Sequence, residues 1–247
     1  MVYDPYVVVW RGTESRPSGH RRTQLIAMDT TSLRFDLVIV GGGPAGLAAG
    51  AQAARRGVTH VVLERGALAQ TIAWYQKRKL VMAEPSDLPL QADHPVPFQE
   101  GTREQVLDSW EQATRTAGTN LWVGPGNEVL QVEGARGAFR VRLKDGRQLV
   151  AGTVVLAMGN SQLNTIEVPG ADLPHVTYQL NDPDEHEDKK VVVIGVGDAG
   201  IENALALGAR NEVTVANRGT DFPRAQVRNQ ELLHRAIQTG QIAHLTN

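Results

Sequence analysis

No cysteine occurs among the 247 residues, which excludes a disulfide framework, a thiolate zinc site, an iron–sulfur cluster and a redox dithiol carried by this chain. Any redox chemistry must therefore use a bound cofactor. Net charge is nearly absent as well: 25 Lys+Arg against 27 Asp+Glu leave −2, so a general affinity for nucleic acid or anionic membrane has no support. Aromatic residues make up only 5%, and the 25 glycines suggest tight turns and close backbone packing more than an aromatic-rich sandwich core. The first residues lack an apolar core long enough for a secretory signal: Tyr-Val-Val-Val-Trp is followed by Arg11, Arg16, Arg21 and Arg22. Residues 1–34 are expected to be a disordered extension, with Met28 an equally good start. The uncharged stretch from Leu37 to Ala54 holds Gly41, Gly42, Gly43 and Pro44 in its first half, so it needs a turn there and is not expected to span a membrane.

What the sequence does contain is a repeated α/β pattern. Phe35 to Val40 is a short apolar run bounded by glycine, as in a strand buried on both faces of a parallel sheet. Pro44 to Arg56 reads as a helix stopped by Gly57, and Val58 to Leu63 as a second strand. The same order returns with Lys190 to Ile194, Asp198 to Leu207 and Glu212 to Ala216. Two Rossmann-like dinucleotide-binding domains with parallel sheets are therefore expected. Between the repeats, Thr102 to Thr116 reads as an amphipathic helix with Thr102 and Gln105 in capping-box spacing and Trp110 on its apolar face. Asn127 to Ala157 turns to short strands, a small β-meander in which Lys144-Asp145-Gly146-Arg147 makes a hairpin between Phe139–Leu143 and Gln148–Val150. Acidic residues crowd residues 181–189, which read as a solvated linker between a first domain at 35–180 and a partial second domain at 190–247.

Gly41-Gly42-Gly43-Pro44-Ala45-Gly46 fits G-x-G-x-x-G between a strand and a helix. Gly41 permits the tight turn, Gly43 the approach of a diphosphate and Gly46 close packing of the helix, with Pro44 and Ala45 opening its first turn. Twenty-three residues after Gly41 stands Glu64, at the end of the second strand, where a carboxylate can accept from ribose hydroxyls; Arg65 follows it. Gly195-Val196-Gly197-Asp198-Ala199-Gly200 repeats the motif. The same count of 23 from Gly195 reaches Arg218, preceded by Asn217, and Arg224 lies six residues on. Guanidinium groups hold a 2′-phosphate and cannot accept from a 2′-hydroxyl, which favours NADPH over NADH.

These two motifs, Glu64 and the run Gly195 to Leu205 resemble the flavoproteins with two dinucleotide-binding domains, most closely the thioredoxin-reductase-like branch. Val154-Val-Leu-Ala-Met-Gly159 is similar to that family's strand ending in Ala-Thr-Gly, with Met158 in place of threonine and Gly159 near the cofactor. The resemblance implies FAD at the first motif, NADPH at the second, and an FAD-dependent oxidoreductase moving hydride from nicotinamide to flavin. Members of the family carry redox cysteines that are missing here, so electrons are expected to leave for an external small-molecule or protein acceptor. The family's chain also returns to complete its FAD domain, whereas this one stops at Asn247. A C-terminally truncated form with weak or absent turnover is expected.

No catalytic acid or base stands out. The seven histidines show no ligand-like spacing, so no metal site is expected and each reads as a surface or loop residue. Trp74-Tyr75-Gln76-Lys77-Arg78-Lys79 reads as a solvated helix face, with flavin stacking or an acidic protein partner as its alternatives. A flavin monooxygenase is the competing enzyme class, and a non-catalytic FAD- or NADPH-sensing module the competing non-enzyme. A homodimer and a cytoplasmic location complete the expectations.

Overall fold

The computed structural model describes residues 8–9, 33–81, 95–97, 99–159, 165–166 and 168–246. The expected extension lies outside these apart from Val8–Val9 and Leu33–Arg34. Among the described residues, those up to 73 and from 80 to 159 form one compact unit, and 74–79 with those from 165 onward form a second.

The first unit contains β1 (Val8–Val9), β2 (Leu33–Val40), α1 (Pro44–Arg55), β3 (His60–Glu64), α2 (Gln70–Ala73), β4 (Leu80–Val81), β5 (Gly101–Thr102), α3 (Arg103–Thr116), β6 (Leu121–Val123), β7 (Val129–Glu133), β8 (Phe139–Leu143) and β9 (Gln148–Leu156). Its sheet runs β6-β3-β2-β9-β8-β7. The first four strands are parallel and the last two antiparallel, so the expected meander joins the parallel sheet directly. One long β9 extends the short strand expected at Gln148–Val150 as far as Leu156: it lies parallel to β2 along its length and antiparallel to β8 through Gln148–Ala151. Val155 and Leu156 at its far end pair with β1.

All five residues of β3 are buried, as befits a parallel strand covered on both faces. Val38, Val40, Val61 and Leu63 pack against Phe139 and Val141 of the meander. Ile39 and Val62 face the small side chains of α1, where Ala45 and Ala49 let the helix approach. Each fully buried aliphatic side chain contributes about 1.5–3 kcal/mol to this core. α3 begins with the expected capping box: the Gln105 N–H donates to Thr102 Oγ1 and the Thr102 N–H to Gln105 Oε1. Trp110 is a core residue whose indole N–H donates to Pro97 O at 2.7 Å.

The second unit contains β10 (Lys190–Ile194), α4 (Asp198–Leu207), β11 (Glu212–Asn217), α5 (Val227–Gln238) and β12 (Ile242–Thr246). The strands form a three-stranded parallel sheet, β10-β11-β12, with β10 at an edge. Its core joins Ile201 and Ala204 of α4 and Leu233 of α5 to Val213, Val215 and Ile242 of the sheet. The other sheet face is open. Val192 and Ile194 are 61% and 60% exposed, whereas their counterparts in the first repeat, Val38 and Val40, are 0% and 7% exposed.

Residues 181–189, read from the sequence as a solvated linker, belong to this second unit, with a 3-10 turn over Pro183–Glu185 and Pro183 buried. The charges of this stretch meet those of residues 74–79, which are not a helix face but an irregular excursion of the chain after α2. Lys77 pairs with Asp182 at 2.5 Å, Arg78 pairs with Asp184, and the Lys77 N–H donates to Asn181 O.

Candidate functional site: two glycine turns

Both glycine turns are built alike, and the build explains each glycine. Gly41 follows β2 with φ of +108°, a conformation that L side chains rarely adopt, and its N–H donates to Leu63 O at 2.8 Å. A Cβ on Gly41 would lie 2.3 Å from Ala157 O, because the end of β9 closes over the turn. A Cβ on Gly46 would lie 1.8 Å from Gly41 O, so the third glycine lets α1 settle onto the turn. Gly43 differs: its backbone is ordinary extended chain, and a Cβ there would meet nothing within 4 Å. The chain has left room at the start of α1. No side chain caps that start, and no acidic residue lies in its first turn. The N–H groups of Ala45 and Gly46, which precede the first i→i−4 hydrogen bond, together with the positive end of the helix dipole, are thus offered to an anion.

Glu64 ends β3 and is folded against this turn. Its Oε2 accepts from the Gly42 N–H at 2.7 Å and its Oε1 from the Gly66 N–H at 2.8 Å, and the side chain is only 8% exposed. Each oxygen retains a lone pair for a further donor. The middle glycine, given no role in the sequence reading, is needed here, since a Cβ on Gly42 would lie 2.8 Å from Glu64 Cβ. Arg65 is exposed and stands 3.8 Å from Glu128. The Lys144 ammonium, bonded to Glu128, holds that carboxyl below its ordinary value. Gly159, with φ of +61°, has open space where its Cβ would be, and the side chain of Met158 is exposed beside it.

The second turn repeats the geometry. Gly195 has φ of +99°, its N–H donates to Ala216 O at 3.1 Å, and a Cβ on Gly200 would lie 2.1 Å from Gly195 O. Gly197 again has nothing within 4 Å of an added Cβ, and α4 again lacks a side-chain cap. Ala199 lies exposed at its first turn. One feature differs in kind: the oxygen Oδ1 of Asp198 accepts from the Gln226 N–H and from Asn229 Nδ2, both at 2.8 Å, tying the start of α4 to the start of α5. Asn229 was not anticipated from sequence, because nothing local marks a helical asparagine as a bridge.

The strand register also revises which residue corresponds to Glu64. Val40 pairs with Leu63 in the first repeat and Ile194 with Ala216 in the second, so the residue after the strand partner is Glu64 in one case and Asn217 in the other. Arg218 is therefore one position further on. Asn217 Oδ1 accepts from the Gly219 N–H, as Glu64 Oε1 does from Gly66, and its Nδ2 donates to Asp221 O. Phe222, 1% exposed, anchors the same loop between the rings of His234 and His244. The loop thus presents Arg218 and Arg224 as exposed cations on a braced backbone.

The histidines are not all peripheral. His60 is buried, with Nδ1 2.8 Å from Val58 O and Nε2 accepting from the Asn120 N–H, so it fastens β3 to the chain entering β6. Among the described residues no group of three or more His, Asp or Glu is placed to hold a metal ion, and no helix is long and apolar enough to cross a membrane.

Known proteins are similar to this chain in sequence and fold. Residues 38–244 match the family model described as pyridine nucleotide-disulphide oxidoreductase. Indole-3-pyruvate monooxygenase YUCCA1 from Oryza sativa subsp. japonica is 34% identical over 204 residues, covering 76% of this chain and 49% of its own length. Ferredoxin–NADP reductase from Ignicoccus hospitalis is 28% identical over 214 residues, 81% of this chain and 62% of that protein. The chain thus spans about half the length of the first relative and under two thirds of the second. Bacillithiol disulfide reductase from Staphylococcus aureus superposes with a TM-score of 0.76 at 25% identity, over 87% of this chain and 67% of that one. With two glycine turns of one build and a family match across most of its length, the chain belongs to the pyridine nucleotide-disulphide oxidoreductase family.

Proposed function

We propose that the first turn holds FAD, the second holds NADPH, and the chain is a flavin-dependent oxidoreductase that passes electrons to an external acceptor. The observation that carries the reading is the matched pair of open second glycines, Gly43 and Gly197, each at the uncapped start of a helix. In the first turn, Gly41, Gly46 and Pro44 set the approach, the N–H of Ala45 binds diphosphate, and Glu64 accepts from the ribose. Arg65 and Gly159 border the same site. In the second turn, Gly195 and Gly200 set the approach, Ala199 supplies an N–H, and Asp198 orders the helix start through Asn229. Arg218 and Arg224 attract the 2′-phosphate, and Asn217 leaves no carboxylate to repel it. When bound, the two cofactors supply two-electron chemistry, hydride leaving the nicotinamide for the flavin.

With no cysteine in the chain, a dithiol relay of its own is excluded, so the acceptor must come from outside, as a small molecule or a protein such as ferredoxin. A second reading, flavin monooxygenase, is favoured by the 34% identity to the rice monooxygenase. A reduced nicotinamide donor suits a cytoplasmic setting for either. The test is spectroscopic: purified protein is loaded with FAD, made anaerobic and titrated with NADPH. Bleaching of the flavin band supports the oxidoreductase, and restoration of the band by ferredoxin or a quinone identifies the acceptor class. Oxygen consumption coupled to substrate hydroxylation selects the monooxygenase. A flavin band that NADPH leaves unchanged refutes both and leaves a nucleotide-binding module.

A further inference from the structure

Residues 74–79 carry a cation whose position in the second unit is unusual. Lys79 is only 15% exposed at its side chain, and an ammonium is stable in such a place only when paired. It has two partners: Glu202 Oε2 at 2.5 Å and the face of the Tyr75 ring, 4.2 Å from its centroid. Lys77 and Arg78 pair with Asp182 and Asp184 and are half or more exposed, so each contributes little alone. Together they fix the register of the excursion that delivers Lys79.

Glu202 lies four residues after Asp198 on α4, so the two carboxylates share one helix face. Asn229 Nδ2 donates to both, at 2.8 Å to Asp198 Oδ1 and 3.1 Å to Glu202 Oε1. One amide group serves two anions at the start of the helix whose N–H groups would receive a diphosphate. Without a cation, that face would carry two negative charges beside an incoming anion. Lys79 supplies the compensating charge.

We propose that Lys79 is a positioning residue for the nucleotide site of the second unit, holding the start of α4 in place and neutralising it through Glu202, Asn229 and Asp198. The proposal rests on the second turn being a nicotinamide-dinucleotide site. It acts on the diphosphate end, which NADPH and NADH share, and not on the arginine loop. Lys79→Met is therefore expected to weaken both nucleotides alike, about tenfold, while FAD binding in the first unit is unchanged. Lys79→Arg keeps the charge and restores most of the affinity. Glu202→Gln added to Lys79→Met removes the uncompensated anion and also recovers most of it, a rescue that general loosening of the fold would not produce.

The experiment is calorimetric or fluorescence titration of NADPH and NADH into the FAD-loaded wild type and these three variants, with thermal melts alongside. Wild-type affinity in Lys79→Met, loss of NADPH alone, or no recovery in the double variant overturns the proposal. If Lys79→Met alone fails to fold, the double variant decides by whether it binds both nucleotides near wild-type strength. A wild type that binds neither nucleotide overturns the underlying reading of the turn, and the role of Lys79 with it.

Discussion

Two alanine substitutions three residues apart in the first glycine turn should fail for opposite reasons. At Gly46 an added Cβ would lie 1.8 Å from Gly41 O, a backbone atom held by the turn itself, so either α1 or the turn must move. Overpacking of this kind costs about 1–3 kcal/mol, and here the yielding atom is not a flexible side chain. At Gly43 the added Cβ meets nothing within 4 Å, and φ of −79° with ψ of −176° suits alanine. The weaker N-cap preference of alanine is about offset by its reduced unfolded-state entropy, so Gly43→Ala should fold within about 1 kcal/mol of wild type. Its methyl group occupies the space proposed for the diphosphate, where a similar overpacking term of about 1–3 kcal/mol corresponds to roughly 5- to 150-fold weaker FAD. Urea denaturation of the apoprotein reads the first effect and flavin titration the second. Gly43→Ala with undiminished FAD affinity would refute the cradle, and an unperturbed midpoint for Gly46→Ala would refute the packing argument.

Other consequences follow from single contacts. Arg218→Ala should weaken NADPH about tenfold or more while changing NADH little, since a charge-assisted hydrogen bond contributes about 1.5–3 kcal/mol and only NADPH offers the phosphate; equal losses in titration would count against it. Val38→Ala should cost about 1.5–3 kcal/mol in chemical denaturation, whereas Val192→Ala, at the matching position of the open face, should stay within about 0.5 kcal/mol. His60→Leu removes the part-buried bonds to the Asn120 N–H and to Val58 O and should destabilise the first unit by about 0.5–1.5 kcal/mol, measurable by thermal melt of the FAD-free protein. The Lys77 ammonium and the Asp184 N–H, both bonded to Asp182, hold its carboxyl below the ordinary aspartate value. A lowered pKa stabilises the folded state above the unfolded value and is lost as pH falls through the folded one. Proteolysis within residues 74–79 should therefore accelerate only in strongly acid solution, and Asp182→Asn should abolish that dependence while raising cleavage at neutral pH.

The parts of this fold that the sequence displays are those whose causes are local. Gly-x-Gly before a proline-started helix, Thr102 with Gln105, and Lys144-Asp145-Gly146-Arg147 each act within a few residues, and each appears where expected. What escaped notice depends on partners far along the chain. Lys77, Arg78 and Lys79 look like a solvated face until Asp182, Asp184 and Glu202, more than 100 residues away, are placed against them. His60 reads as one of several scattered histidines until Asn120 donates to it. Gly42 has no evident reason to be glycine until Glu64 is folded over it.

The residue that ends the second strand of each repeat shows why counting along a chain and reading across a sheet can disagree. A count of 23 residues assumes that both repeats have helices and strands of one length, but α1 has 12 residues and α4 has 10, while Glu64 is the fifth residue of β3 and Asn217 the sixth of β11. The hydrogen bonds make no such assumption: Gly41 N–H donates to Leu63 O and Gly195 N–H donates to Ala216 O, so the corresponding position is the residue after each acceptor. That residue is Glu64 in the first repeat and Asn217 in the second. A carboxylate accepts two ribose hydroxyls and repels a phosphate, whereas the Asn217 amide is uncharged and has a single acceptor oxygen, already receiving the Gly219 N–H. In the proposed nucleotide site, selection then falls to the next side chain along, Arg218, whose charge would favour a 2′-phosphate with no opposing acid at the strand end.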